Sequence, residues 1–240
     1  MPWDFVLIFV VLGALVPWRS AVQMRALLAQ PRLESTDRLA VYASTIALQW
    51  LVAGVVLWRA MARGFTPAEM AISMPGGIVP IGITLALTIL LVVNQIFSLR
   101  RLGRLPAERQ GFVGELARRL LPQNDVETLA FFALCATVAV CEEVIYRGFA
   151  LAALESASGN WILAAVGSSA LFAVAHLYQG PRGLITTFFV GLLFAGVREY
   201  TGSLAPVVVA HLAVDLTAGV YARHALGISA QRARGPAGGT

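Results

Sequence analysis

Lysine is missing from this 240-residue chain: all 18 of its basic side chains are arginine. Charge of either sign is scarce, at 13% of residues, about half the share of an ordinary soluble domain. Hydrophobic residues make up 58%. A chain so poor in charge cannot clothe a soluble surface, and the composition points to a polytopic membrane protein. The isoelectric point near 9.9 does not indicate a nucleic-acid partner, because the arginines sit between apolar segments rather than in one patch. Cysteine is limited to Cys135 and Cys141. Six residues apart in one apolar segment, they point in different directions on a helix, which excludes a mutual disulfide. No internal repeat is present, which argues against a transporter built from repeated halves.

What the chain has is apolar runs of spanning length. A membrane helix needs roughly 20 mostly apolar residues, and seven segments approach this: 3–18, 39–58, 78–97, 127–156, 161–177, 184–200 and 205–221. The predicted fold is therefore all-α, a polytopic transmembrane bundle of about seven helices (six to eight). The lead-in to the first segment holds Asp4 and no arginine, unlike the basic n-region of a cleaved signal peptide. Trp3, Trp18, Trp58 and Trp161 stand at segment ends, as in an interfacial aromatic belt. The stretch from Phe65 to Gly77 reads as a short surface helix capped by Thr66. Residues 1–126 read as N-terminal membrane helices with a cytoplasmic loop, 127–222 as the core, and 223–240 as a disordered cytoplasmic tail. If seven segments alternate, 14 arginines fall on one side and 4 on the other or within the fourth segment. The positive-inside rule then puts the N-terminus outside and the C-terminus in the cytoplasm.

Ionisable groups interrupt the apolar pattern at three places: Glu142, Glu143 and Arg147; His176; and His211 with Asp215. Each costs at least about 2.5 kcal/mol to insert, and such groups usually gather around a polar cavity. Glu143 and Arg147, four apart on one face, suit an ion pair. Glu142, turned about 100° away, shares a face with Tyr146 and is free to point into a cavity. His211 and Asp215 are four apart, so the carboxylate can orient the ring. The three places meet only if the fourth helix continues through Gly148 to about Ser156. Glu142 and His176 then lie roughly 25 Å below one shared turn, while His211, descending from a turn near Gly202, lies shallower. Gln49 and Asn94 read as interhelical hydrogen-bonding residues, and Arg182 and Arg198 as interfacial anchors.

Three stretches carry a resemblance. EEVIYRG from Glu142, FAVAH from Phe172 and HLAVD from His211 resemble the EExxxR, FxxxH and HxxxN/D motifs of the CAAX protease and bacteriocin-processing family, relatives of the type II CAAX prenyl endopeptidase. The resemblance covers roughly residues 127–222 and implies an intramembrane endopeptidase. It implies that Glu142 and His176 activate a water, and that His211 and Asp215 stabilise the oxyanion, with Glu143, Arg147, Tyr146 and Phe172 supporting them. Aspartate at 215 departs from the asparagine of the prenyl endopeptidases, and an ionised carboxylate cannot donate to an oxyanion. A single zinc ion on Glu142, His176 and His211 is the alternative to a metal-free glutamate mechanism. The expected partners are the lipid bilayer and a membrane-associated peptide or protein substrate, with the bacterial inner membrane as location. The rival readings are a non-catalytic scaffold or immunity protein that keeps the protease fold, and a proton-coupled transporter.

Overall fold

The structure is a computed structural model describing residues 1–74 and 76–227. Residues 228–240 of the expected tail lie outside the described residues. Among the described residues the regular elements are all helical. They are α1 (Trp3–Ala29), α2 (Ser35–Ala62), α3 (Ile78–Gly103), α4 (Gly111–Leu120), α5 (Asp125–Ser158), α6 (Trp161–Ala175), α7 (Gly180–Thr201) and α8 (Ala205–Ala225). All but the amphipathic α4 correspond to the seven apolar segments. Six of the seven, α6 being the exception, are long and apolar enough to cross a membrane. The chain is an integral membrane protein.

Lipid is as apolar as leucine, so close packing rather than hydrophobic transfer must hold such helices together, and small residues allow it. The buried set is accordingly rich in alanine, with Ala139, Ala150, Ala164 and Ala210 fully enclosed. Polar pairs add register. Glu127 on α5 accepts hydrogen bonds from Arg38 Nε at 2.7 Å and from Ser35 Oγ at 2.5 Å, both on α2. Trp50 Nε1 donates to Thr137 Oγ1 at 3.2 Å further along the same pair. Helices α2 and α5 therefore run parallel and are clamped at several levels. Asp4 pairs with Arg59 at 2.6 Å and Arg63 at 3.0 Å, tying α1 to the far end of α2.

Helix α5 begins with Asn124, whose side chain accepts from the Glu127 amide, and runs unbroken past Gly148 to Ser158. It ends on Gly159, whose φ of 63° suits a residue without Cβ. Within it, residues Glu143–Ala150 form π-helical turns, a feature often found at functional sites. Asn160 caps α6 through Leu163 N. Helix α6 has 15 residues, about 22 Å, short of the roughly 30 Å apolar core of a bilayer. It therefore stops inside the membrane, and His176 leaves it there with φ −98° and ψ 16°.

The turn between α7 and α8 differs from expectation. It is recessed, and Leu204 lies against Gly148, where an added Cβ would stand 3.5 Å from Leu204 Cδ1 and 3.3 Å from the Met70 carbonyl. Non-helical backbone at such depth must be satisfied by protein, and residues 69–73 do this. Leu204 N donates to Ala71 O at 2.9 Å, Ser203 Oγ to Ser73 O at 2.5 Å, and Arg198 to Glu69 O at 2.5 Å. Drawn inward, this stretch is not the expected surface helix. Thr66 and Glu69 bond each other as in a capping box, but the chain turns at Ala71, whose φ is 52°. Arg198 is likewise buried rather than an interfacial anchor, whereas Arg182 is exposed.

Candidate active site

Glu142 lies 16 residues before the end of α5, and His176 follows the last residue of α6. Measured from their shared turn at Gly159–Asn160, both sit about 25 Å down. The recessed turn corrects the depth of His211. From the Gly148–Leu204 contact, Glu143 is five residues back along α5 and His211 seven residues on along α8, so the two arrive at one level. The four sequence-predicted groups do converge. Glu142 Oε2 stands 3.9 Å from His176 Nε2 and 4.0 Å from His211 Nε2. Asp215 Oδ2 is 3.7 Å from His211 Nε2.

Hydrogen bonds fix what each group offers. A carbonyl oxygen can only accept, so the 2.8 Å contact of His176 Nδ1 with Phe172 O places a proton on Nδ1. In the neutral ring Nε2 is then a free acceptor. His211 Nδ1 is held at 2.8 Å by Glu143 Oε1, not by Asp215. Spacing of four on one helix allowed the Asp215 contact, but the buried Glu143 takes that nitrogen and leaves Asp215 facing the other side of the ring. Glu142 Oε1 accepts from Gln49 Nε2 at 3.0 Å. Its Oε2 is buried without a hydrogen-bond partner among the described residues. Gaps of 3.9–4.0 Å between Oε2 and the two imidazole nitrogens are ones that a single water can bridge.

The supporting residues form one packed unit behind this cluster. Arg147 is fully buried and pairs with Glu143 at 3.1 Å. Its guanidinium lies over Phe172 at 4.0 Å and Phe194 at 5.2 Å from the ring centroids, a favourable cation–π arrangement when desolvated. Phe172 also meets Tyr146 edge-on at 5.2 Å and the His176 ring at 4.7 Å. Ser168 Oγ donates to Tyr146 O at 2.6 Å, pinning the π-helical stretch of α5 to α6. The residues missed by sequence reading are Gln49 and Phe194. Gln49 was recognised only as an interhelical polar group, and nothing local to α2 distinguishes it. Asn94, paired with it in that reading, lies exposed on α3.

A groove of about 480 Å³ leads away from the cluster. Glu142, His176, His211 and Asp215 line it together with mainly apolar side chains of α1, α2 and α5. Helix α1 runs eleven residues past Trp18, where sequence reading ended it, and so brings Arg19 and Gln23 to the groove. Leu116 and Leu120 of α4 also line it. That helix is pinned there by Tyr42, whose hydroxyl donates to Leu120 O, and by Arg119, which donates to Gln30 O.

Residues 124–217 match the family described as Type II CAAX prenyl endopeptidase Rce1-like. This segment resembles that family. No curated protein and no solved structure matches the chain. The matched segment runs from the cap of α5 into α8 and holds Glu142, Glu143, Arg147, His176, His211 and Asp215, and the family it resembles supports a membrane protease kind of function. The zinc alternative can be tested against geometry. Tetrahedral zinc with ligands at 2.0–2.2 Å separates its donors by about 3.4 Å. The donor pairs here stand 3.9 and 4.0 Å apart, and among the described residues no three His, Cys, Asp or Glu are grouped to hold a metal. As placed, the cluster fits a bridging water and does not fit zinc.

Proposed function

We propose that this protein is an intramembrane endopeptidase that hydrolyses a peptide bond of a membrane-associated protein or peptide. One observation carries the reading: a buried carboxylate oxygen, Glu142 Oε2, has no hydrogen-bond partner among the described residues and faces two imidazole nitrogens at 3.9 and 4.0 Å. A carboxylate held this way is a costly feature to keep without a use. The scissile segment lies along the groove with its carbonyl carbon beside the bridging water. Glu142 takes a proton from that water while His176 Nε2 accepts its other hydrogen, directing an oxygen lone pair at the carbon. The new C–O bond sends the carbonyl π pair onto oxygen. His211, protonated on both nitrogens and held by Glu143, donates from Nε2 to that oxyanion. Asp215 stands beside Nε2 and balances the ring's charge rather than donating. The tetrahedral species collapses, the C–N bond breaks, and the proton on Glu142 passes to the leaving amine.

The test uses full-length protein reconstituted in vesicles with a panel of membrane-tethered peptides. The wild type is expected to cut at least one peptide, with or without a chelator. His176→Ala is expected to lower kcat/KM about 10²- to 10⁴-fold while melting normally. An intact wild-type protein that cuts nothing favours the scaffold reading. Loss of activity with chelator alone restores the metal reading.

The site lies nearer the end of the bundle that holds α4. The arginine excess on that side, 14 against 4, supports a cytoplasmic opening for the groove. A reporter that works only in the cytoplasm should be active when fused after Thr240. Activity of a reporter that works only outside would reverse this orientation.

A further inference from the structure

On the reading that Glu142 is the base, we propose that Gln49 is a positioning residue that fixes which oxygen of Glu142 meets the water. Gln49 lies outside the matched segment, on α2. Its side-chain amide donates to Glu142 Oε1 at 3.0 Å, and the other oxygen is the unpartnered one that faces both histidines. A glutamate has three rotatable bonds, and one oriented donor removes much of that freedom before substrate arrives. The donor is also neutral. It holds the carboxylate without a counter-charge and does not itself ionise.

The place of Gln49 is set from both sides. Towards the start of α2, Arg38 and Ser35 are bound to Glu127 of α5. The next residue, Trp50, bonds Thr137 of α5. Ala53, one turn on, is buried in a cluster with Cys141, the residue before Glu142. Helix α2 thus cannot slide along α5 without breaking contacts above and below the amide. The N-terminal half is therefore part of the catalytic machinery and not a generic membrane anchor.

The experiment compares wild type, Gln49→Met, Gln49→His and Glu142→Gln in vesicles, using one membrane-tethered peptide that the wild type cuts. Gln49→Met keeps the volume and removes the donor. It is expected to lower kcat about 10- to 100-fold, the scale of one hydrogen bond to a charged group, with KM within about twofold and the melting temperature unchanged. Gln49→His, which retains an N–H of similar reach, should recover part of the loss. Wild-type kcat in Gln49→Met overturns the proposal, as does a rise in KM alone or an activity loss that follows a fall in melting temperature. Glu142→Gln separates the two levels. If it turns over normally, the base reading itself fails; if it is inactive while Gln49→Met is normal, only the role of Gln49 fails.

Discussion

Glu142→Gln is expected to give a folded, inserted protein that cuts its peptide at least about 10³-fold more slowly than wild type. The substitution is isosteric, and the new amide oxygen can still accept from Gln49, 3.0 Å away in the native protein. The atom replacing Oε2 cannot take a proton from water. Stability should not fall, because the change removes a buried carboxylate oxygen that has no hydrogen-bond partner among the described residues and with it the cost of burying an ionised group there. Initial rates on vesicle-borne substrate, taken beside a thermal melt in detergent, check both halves. A normal rate removes Glu142 from the chemistry. A lost rate with a lowered melting temperature would mark Glu142 as a structural acid.

Removing one partner of the Glu143–Arg147 pair is expected to cost about 3–5 kcal/mol of stability, the range for stranding a buried charge. Both side chains are fully buried, so water cannot solvate the survivor. The two variants should then diverge. Arg147→Met leaves Glu143 bound to His211 Nδ1, and where the protein remains folded it should retain measurable turnover. Glu143→Ala also strips His211 of the acceptor on that nitrogen, a contact of 2.8 Å, and should lose turnover even below its melting temperature. Thermal melts with rates measured well under each midpoint distinguish these outcomes. Equal stability of both variants with wild type would contradict the account of the pair, and full activity of folded Glu143→Ala would contradict its hold on His211.

The helices were legible because hydropathy and length state them directly. The run from Glu127 to Ser156 holds no breaker but Gly148, and the continuous α5 follows. That continuity, with the shortness of α6, was enough to place Glu142 and His176 at one depth. The depth of His211 was not legible. It depends on a turn at Gly202–Leu204 that sinks inward only because Gly148 makes room and residues 69–73, more than a hundred positions earlier, satisfy its backbone. The same long-range packing turned the stretch after Thr66 from a surface helix into a plug and buried Arg198. The partner of His211 was ambiguous for a different reason. Asp215 is within reach by helical spacing, while Glu143 is brought there by tertiary packing of α8 on α5. Gln49 had no local signal at all, since a glutamine among apolar residues reads as a helix–helix contact whatever lies opposite.

The central claim is that water, activated by Glu142 and the histidines without a metal, hydrolyses a peptide bond in this groove. Its most direct test is mass spectrometry of products formed in ¹⁸O-enriched water, with chelator present, from a membrane-tethered peptide incubated with vesicle-embedded protein. The account predicts two new termini, one ¹⁸O atom in the new carboxylate, and neither product from Glu142→Gln. Wild-type protein that yields no new termini, yields them only when metal is restored, or yields them equally from Glu142→Gln would contradict it.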